Sequence, residues 1–311
     1  MSTGVLELTD PRHSLGAGIW RLADPKISLA SLASMFLGAC AAAGAGPIAW
    51  GWLAATVLGI FAIEVAKNAS GEIFDFDSGT DLAVAPEDRS PFSGGKRVLV
   101  DGLLTRGETA AIAATGYVLG GTCGLAILFW REPRVLWLGI AGMAFAYFYQ
   151  APPVRLSYRG CGEAAVALCY GPLICCGTYV VQRGSVPSSI VALSAPLGLL
   201  IAGFLWINEF PDYRADLLAG KRTLVVRLGR RAASSAFAGL IAAAFVLLLL
   251  EPLLGLSTGV WLGAIAFVPA SLAARSLHRH SETTARIVPA QKQTLLAFLL
   301  LALGSGLGSL L

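Results

Sequence analysis

The feature that most constrains this chain is the run "IVALSAPLGLLIAGFLWI" (Ile190–Ile207), eighteen residues without a charge. A helix of about 20 apolar residues crosses the hydrocarbon core of a bilayer while satisfying its own backbone polar groups. The pattern recurs along the chain. Apolar blocks at 27–46, 48–67, 110–130, 134–150, 163–181, 189–209, 233–250, 255–274 and 293–310 predict nine transmembrane helices. Barrel strands would be about ten residues long with alternating polarity, whereas these blocks are continuous. Composition agrees: 56% of the 311 residues are hydrophobic and 14% are charged, against about 25% charged in a soluble domain. The expected fold class is therefore all-α and polytopic. An N-terminal cytoplasmic or interfacial segment, 1–26, precedes a single nine-helix membrane domain, 27–311.

Charge placement orients the helices. With the N-terminus inside, all but Arg131, Arg134 and Arg183 of the 23 Lys and Arg fall in inner segments, a strong positive-inside bias. The net charge of +4 is then explained by inner loops facing anionic lipid and requires no nucleic-acid partner. The opening "MSTGVLELTDPRHSLG" has no basic start leading into an apolar core, so a cleaved signal peptide is not expected. "WRLADPKIS" reads as an interfacial lead-in, with Trp20 near the headgroups. None of the six Cys shows a paired metal spacing and the chain has three His, so neither type suggests a metal centre.

Two inner segments, about 68–109 and 210–232, are long enough to cap a site at the membrane face, and each begins with an acidic cluster. In "NEFPDYRAD" (Asn208–Asp216), Asp212 and Asp216 are four residues apart and share a helical face. Asn208 joins them if the helix continues through Pro211, where a kink or restart is expected. Glu209 and Arg214 are expected to point elsewhere, although Arg214 can reach one carboxylate, which is the bland reading of the cluster. Two like charges at that spacing oppose each other and call for a compensating cation, protein or metal. In "NASGEIFDFDSGTD" (Asn68–Asp81), Asn68, Glu72 and Asp75 share a face if the second span extends as helix, with Asp81 beyond a turn and Asp77 facing away. Further along, Val98–Leu104 is compatible with a short amphipathic piece. Polar groups at a span's edge are costly unless paired or lining an aqueous cavity. Interfacial termination accounts for one such cluster more readily than for two.

Hard carboxylate and amide oxygens suit Mg²⁺, which binds through a few carboxylates plus substrate phosphates. Arg89, Lys96, Arg155, Lys221 and Arg222 are the candidate phosphate contacts, each with an alternative reading as an ordinary positive-inside charge. The segment "YFYQAPPVRLSYRGCGEA" (Tyr147–Ala164) closes the fourth span. Tyr149 there is either an interfacial aromatic or a group flanking a cation or donating to an oxygen. Glu163 is either a site member or a helix N-terminal charge.

These are also the residues through which the whole chain resembles the UbiA family of membrane prenyltransferases, whose members have nine transmembrane helices. "NEFPDYRADLLAGKRTLVVRLG" is similar to the family's second Asp-rich motif with its basic tail, Asn208, Asp212 and Asp216 matching the polar positions and Lys221, Arg222 and Thr223 the tail. "GEIFDFDSGTD" resembles the first Asp-rich motif, with Gly71-Glu72 standing where many members carry Asn-Asp. Asn68, one turn earlier, is the expected source of that missing amide. "YQAPPVRLSYRGCGE" resembles the branch acting on 1,4-dihydroxy-2-naphthoate in the menaquinone pathway. The resemblance implies Mg²⁺-dependent transfer of a polyprenyl group from a polyprenyl diphosphate to an aromatic acceptor in the membrane. It implies metal ligands at Glu72, Asp75, Asp81, Asp212 and Asp216, and catalytic roles for Asp75, Asp212, Asp216, Lys221 and Tyr149. Substrate binding falls to Asn68, Arg89, Lys96, Arg155, Asn208 and Arg222. The expected location is the inner (cytoplasmic) membrane of a bacterium or archaeon, with the site facing the cytoplasm. Acceptors such as homogentisate, 4-hydroxybenzoate, a tetrapyrrole or a lipid remain open. Two rivals stand beside this reading: a transporter or lipid-binding protein without the chemistry, favoured by the deep Glu64 three residues before Lys67, and a non-catalytic relative.

Overall fold

The computed structural model describes residues 12–311, so the first eleven residues of the expected N-terminal segment lie outside the description. Eight helical segments are long and apolar enough to cross a membrane: Pro25–Gly44, Trp50–Asp77, Arg106–Trp130, Gly162–Arg183, Ser188–Leu218, Arg230–Leu254, Thr258–His280 and Thr284–Gly308. They fall on eight of the nine predicted blocks. The remaining block forms a shorter apolar helix, Val135–Phe148, about 21 Å long at 1.5 Å per residue. Among the described residues the β pairing is confined to one isolated bridge, Ser90 to Ser93.

The chain enters through α1 (Leu15–Ala23), capped by Ser14. It turns at Asp24, whose φ of 38° is left-handed, into α2 (Pro25–Gly44), where Pro25 occupies the first turn. α3 (Trp50–Asp77) and α4 (Arg106–Trp130) pack along each other, and α4 opens with a complete capping box between Thr105 and Glu108. α5 (Val135–Phe148) fully buries none of its residues and lies at the lipid-facing side. The fourth long segment is α6 (Gly162–Leu168) and α7 (Ile174–Arg183), joined by a π turn over Cys169–Leu173 that contains Pro172. Exposed Trp50, Phe129, Trp130 and Trp137 gather at one end of the helices, as an interfacial aromatic belt requires.

The core forms around α8 (Ser188–Leu218), whose Leu193, Leu197, Leu200, Ile207 and Phe210 expose no surface. Against it pack α2, α6, α10 (Arg230–Leu250) and α12 (Thr284–Gly308), while α11 (Phe267–His280) covers α10 and α12. Lipid tails are as apolar as Leu, so membrane helices gain from close backbone approach at small residues. Gly198 shows this: a Cβ there would lie 2.4 Å from the Ala167 carbonyl oxygen, and Gly171 crosses at the same point.

Two expectations about helix ends need correction. No restart occurs at Pro211, because α8 continues through it to Leu218. Neighbours clamp the segment: Gln291 Nε2 donates to Asn208 Oδ1 at 3.0 Å, and Arg230 Nη2 donates to the Phe210 carbonyl at 3.0 Å. Tertiary packing thus outweighs the local proline signal. The first cap loop is also shorter than 68–109, since α3 carries Asn68 to Asp77 as helix. Within the loop, Val98–Leu104 forms turns rather than an amphipathic piece, although Val98 and Leu104 are both buried against Leu22, Ala69 and Ala113.

Candidate active site

The loop 78–105 folds back over the ends of α3 and α8 and is tied down from several directions. Lys96 pairs with Asp24 and Lys26 donates to the Pro91 carbonyl. Arg21 reaches Asp101 at 2.6 Å, and Arg97 reaches it at 3.1 Å while also donating to the Asp81 carbonyl. Thr284 Oγ1 donates to buried Asp88 at 3.1 Å, linking the loop to α12. Most tellingly, the Leu99 N–H donates to Glu72 Oε1 at 2.9 Å, so a residue of the first acidic cluster itself holds the cap.

Beneath the cap is a cavity of about 650 Å³ in which the two acidic clusters meet. Its walls include Asn68, Glu72, Asp75, Asp81, Arg89, Lys96, Tyr149, Asn208, Asp212, Asp216 and Lys221. Helical spacing puts Asn68, Glu72 and Asp75 on one face of α3, and Asn208, Asp212 and Asp216 on one face of α8. Lys221 follows α8 and turns back, its N–H on the Asp216 carbonyl at 2.8 Å and its Nζ 3.6 Å from Asp216 Oδ1. Burial alone would lower the Lys221 pKa, but the Asp216 and Asp75 carboxylates drive it well above its ordinary value. Burial, then the neighbouring Asp75 and Glu72, pushes Asp81 up to about 8.

Arg155 and Arg222 are not among the residues lining this cavity. The Arg155 guanidinium lies 4.9 Å over the Tyr158 ring. Arg222 is exposed, and its contribution is a backbone N–H donated to the Tyr158 carbonyl at 3.1 Å. Glu209 is corrected in the opposite sense: expected to face away, it is buried and lines the cavity. Asp77 faces outward and pairs with Arg106 at 2.5 Å, as its helical angle implies. Asn68 turns its amide away from the acidic face, donating to the Leu22 carbonyl at 2.8 Å. Arg214 approaches Asp88 at 3.9 Å rather than Asp212 or Asp216.

Three residues at the site, two lining the cavity and one beside it, escaped the sequence reading. Gln150 Nε2 donates to Asp75 Oδ2 at 2.5 Å, and Tyr158, beside the cavity, donates its hydroxyl to Asp75 Oδ1 at 2.7 Å. Lys67 lies 5.2 Å over the Tyr149 ring and has no ion-pair partner among the described residues. Its neighbour in sequence, the deep Glu64, is instead satisfied by Ser31 Oγ at 2.8 Å and the Tyr170 hydroxyl at 2.9 Å. The signal for Lys67 was its depth in an apolar span; the signal for Gln150 was an amide placed directly after Tyr149.

A second cavity, about 500 Å³ and mostly apolar, runs between α3, α4, α5 and the α6–α7 segment. Its walls include Ala55, Gly59, Ile63, Leu128, Leu138 and Val181. The two cavities share Lys67, Tyr149, Val166 and Tyr170, so a polar chamber rich in charge adjoins a hydrophobic one.

The polar chamber is suited to a hard cation. Glu72 Oε2 and Asp212 Oδ1 are buried without hydrogen-bond partners, and Asp216 Oδ1 has only the Lys221 ammonium at 3.6 Å; such oxygens are costly unless a cation or donor reaches them. Among the described residues no three acidic, His or Cys side chains converge into a metal site by themselves. This donor set fits Mg²⁺, which takes one or two carboxylates and completes its shell with water and phosphate. Alternating Arg89, Lys96 and Lys221 supply positive charge for an anionic ligand.

Comparison with known proteins agrees with this arrangement. The model of the UbiA prenyltransferase family matches residues 31–308. A 1,4-dihydroxy-2-naphthoate octaprenyltransferase from Mycobacterium tuberculosis is 30% identical over 273 residues, covering 84% of this chain and 88% of the relative. A 2-carboxy-1,4-naphthoquinone phytyltransferase from Synechocystis sp. is 30% identical over 180 residues, a match spanning 57% of this chain and 55% of the relative's length. The fold is shared with the apo structure of a UbiA homolog from Aeropyrum pernix, at a TM-score of 0.59 and 20% identity over 89% of this chain and 97% of the other. It is shared too with a UbiA homolog from Archaeoglobus fulgidus bound to GPP and Mg²⁺, at a TM-score of 0.58 and 16% identity over 93% and 99% of the two chains. With nearly the whole membrane-spanning region matched, and the polar positions of both acidic motifs gathered around one chamber, the chain belongs to the UbiA prenyltransferase family.

Proposed function

We propose that the protein transfers a polyprenyl group from a polyprenyl diphosphate to 1,4-dihydroxy-2-naphthoate or a related quinone precursor, releasing diphosphate, at the cytoplasmic face of an inner membrane. The observation that carries this reading is the junction of the two cavities at Lys67, Tyr149, Val166 and Tyr170. A donor with a charged head and a long apolar tail matches such a pair of chambers. The names of the relatives in Mycobacterium tuberculosis and Synechocystis sp. support a naphthalene-ring acceptor. Residues 27–311 would act as one membrane domain, with the cap loop as the chamber's roof.

In this reading Glu72, Asp75, Asp81, Asp212 and Asp216 are the residues that would hold Mg²⁺. When bound, Mg²⁺ supplies charge neutralisation to the leaving diphosphate. Arg89, Lys96 and Lys221 take up the remaining phosphate charge. The raised pKa of Lys221 keeps it cationic throughout the physiological range. Tyr149 presents a ring face and a hydroxyl where the two chambers join. The C1–oxygen bond of the donor breaks with its electron pair going to diphosphate, an electron-rich ring carbon of the acceptor bonds to C1, and that carbon then loses the proton it carried, or its carboxylate as carbon dioxide, to restore the aromatic ring. Lys67, without a carboxylate of its own, faces the acceptor's carboxylate. The cap excludes water, which would otherwise compete for the allylic centre.

The test is diphosphate release by the detergent-purified protein, with geranylgeranyl diphosphate and a panel of acceptors, dihydroxynaphthoate first, in Mg²⁺ or in chelator. Metal- and acceptor-dependent release with a prenylated product by mass is expected, reduced about 10²–10³-fold in Asp216→Asn, the scale for removing one preorganised electrostatic contact. Transport of substrate without diphosphate release would overturn the reading in favour of a carrier.

A further inference from the structure

Position 71 is a glycine one helical turn before Asp75, and the space its side chain would fill is already taken. A Cβ on Gly71 would lie 1.9 Å from Gln150 Oε1, 2.6 Å from its Cδ and 2.9 Å from its Nε2. The same carboxamide donates to Asp75 Oδ2 at 2.5 Å. Tyr158 holds the other oxygen, Asp75 Oδ1, at 2.7 Å. The segment between α5 and α6 therefore grips both oxygens of one carboxylate on α3. Asn68, the alternative amide on α3, is committed to the Leu22 carbonyl.

We propose that Gln150 is the positioning amide of the first acidic cluster, supplied from a different segment of the chain, and that glycine stands at 71 to admit it. An amide on α3 at position 71 and the amide of Gln150 compete for one volume, so the chain holds one or the other. Each oxygen of Asp75 keeps a lone pair beyond the hydrogen bond it accepts, and Gln150 with Tyr158 fixes the plane in which those lone pairs point. Gln150 thereby acts on the bound cation through Asp75. Removing an outer partner of a metal-binding carboxylate weakens metal affinity by about 10- to 100-fold. The ligand half of this inference rests on the proposed prenyltransferase reading; the steric half does not.

The experiment is a reciprocal exchange of the amide: Gln150→Ala, Gly71→Asn, and the double variant, each purified in detergent beside the unaltered chain. Three quantities are read: the unfolding midpoint, its rise on adding Mg²⁺ with inorganic diphosphate, and the Mg²⁺ dependence of turnover. Gly71→Asn alone should lower the midpoint, and adding Gln150→Ala should restore it. Gln150→Ala alone should reduce the Mg²⁺-diphosphate stabilisation and raise the half-saturating Mg²⁺ about tenfold or more, with a smaller change in kcat at saturating Mg²⁺. The double variant should recover part of both. Gln150→Ala with unaltered Mg²⁺ dependence would overturn the positioning role. A double variant no more stable than Gly71→Asn would overturn the steric pairing. If the unaltered chain itself showed neither stabilisation nor turnover, the metal role would fall together with the proposed function, while the midpoints of the four proteins would still decide whether 71 and 150 share one volume.

Discussion

Replacing Glu72 by Asp, the residue the common motif would place there, should loosen the cap. Glu72 is 3% exposed, and its Oε1 accepts the Leu99 N–H at 2.9 Å. Shortening the side chain by one methylene withdraws the carboxylate by about 1.5 Å, past the reach of a hydrogen bond. The loss is about 1–3 kcal/mol, combining the bond with the amide left unsatisfied. The remaining ties do not compensate: Arg21–Asp101 and Arg97–Asp101 are partly exposed, and such pairs contribute about 0–1 kcal/mol each. At about 1.4 kcal/mol per factor of ten, the open population of segment 97–101 should rise about 5- to 150-fold. Hydrogen–deuterium exchange of peptides covering 95–104, with peptides from the centre of α8 as the control, reads this directly. Turnover should fall alongside, because the roof of the chamber closes less often. Unchanged exchange in 95–104, or a rise of equal size in α8, would refute the claim that Glu72 specifically latches the loop.

Two further outcomes follow from other parts of the molecule. Lys67→Met should raise KM for a carboxylated acceptor about tenfold or more, the scale of one charge-assisted hydrogen bond, and leave KM for the prenyl diphosphate unchanged; steady-state kinetics with an acceptor lacking the carboxylate should show no such difference. Gly198→Val places a Cβ 2.4 Å from the Ala167 carbonyl oxygen, where helix backbones rather than flexible side chains must give way. Overpacking of this kind costs about 1–3 kcal/mol, so the unfolding midpoint in detergent should drop by several degrees, and an unchanged midpoint would show that the α6–α8 crossing is more compliant than its geometry implies.

The helices were readable because each is announced by a local property. Twenty apolar residues in a row leave the backbone few alternatives in lipid, and the nine predicted blocks all became helices. Where the expectation slipped, a distant contact had displaced a local rule. Pro211 signals a break to any reader of α8 alone, yet Gln291 on α12 and Arg230 on α10 clamp the residues before it. The helical face of Asn208, Asp212 and Asp216 then forms as a continuous turn would place it. Glu209, one position off that face, is drawn in because the chamber is lined from several helices and accepts more than one stripe of α8.

The same distinction separates the site residues that sequence spacing found from those it missed. Glu72 and Asp75, or Asp212 and Asp216, declare their proximity through a helical period, since the chain between them is the ruler. Gln150 and Tyr158 reach Asp75 across sequence separations of 75 and 83 residues, where no period operates. Besides its own place directly after Tyr149, the trace Gln150 left in the sequence was an absence, the missing side chain at Gly71. An absence of that kind marks where a group is not, and the packing of the α5–α6 connection against α3 was needed to show what occupies the space. Arg155 and Arg222 illustrate the converse error. Both are basic, both adjoin the motifs, and both fall in segments that the positive-inside bias assigns to the inner side, but charge sign and expected side of the membrane do not determine which way a loop residue turns. Arg222 contributes its backbone to Tyr158, and Tyr158 in turn holds Asp75, so this basic tail bears on the acidic cluster through a main-chain hydrogen bond that any residue type except proline would make.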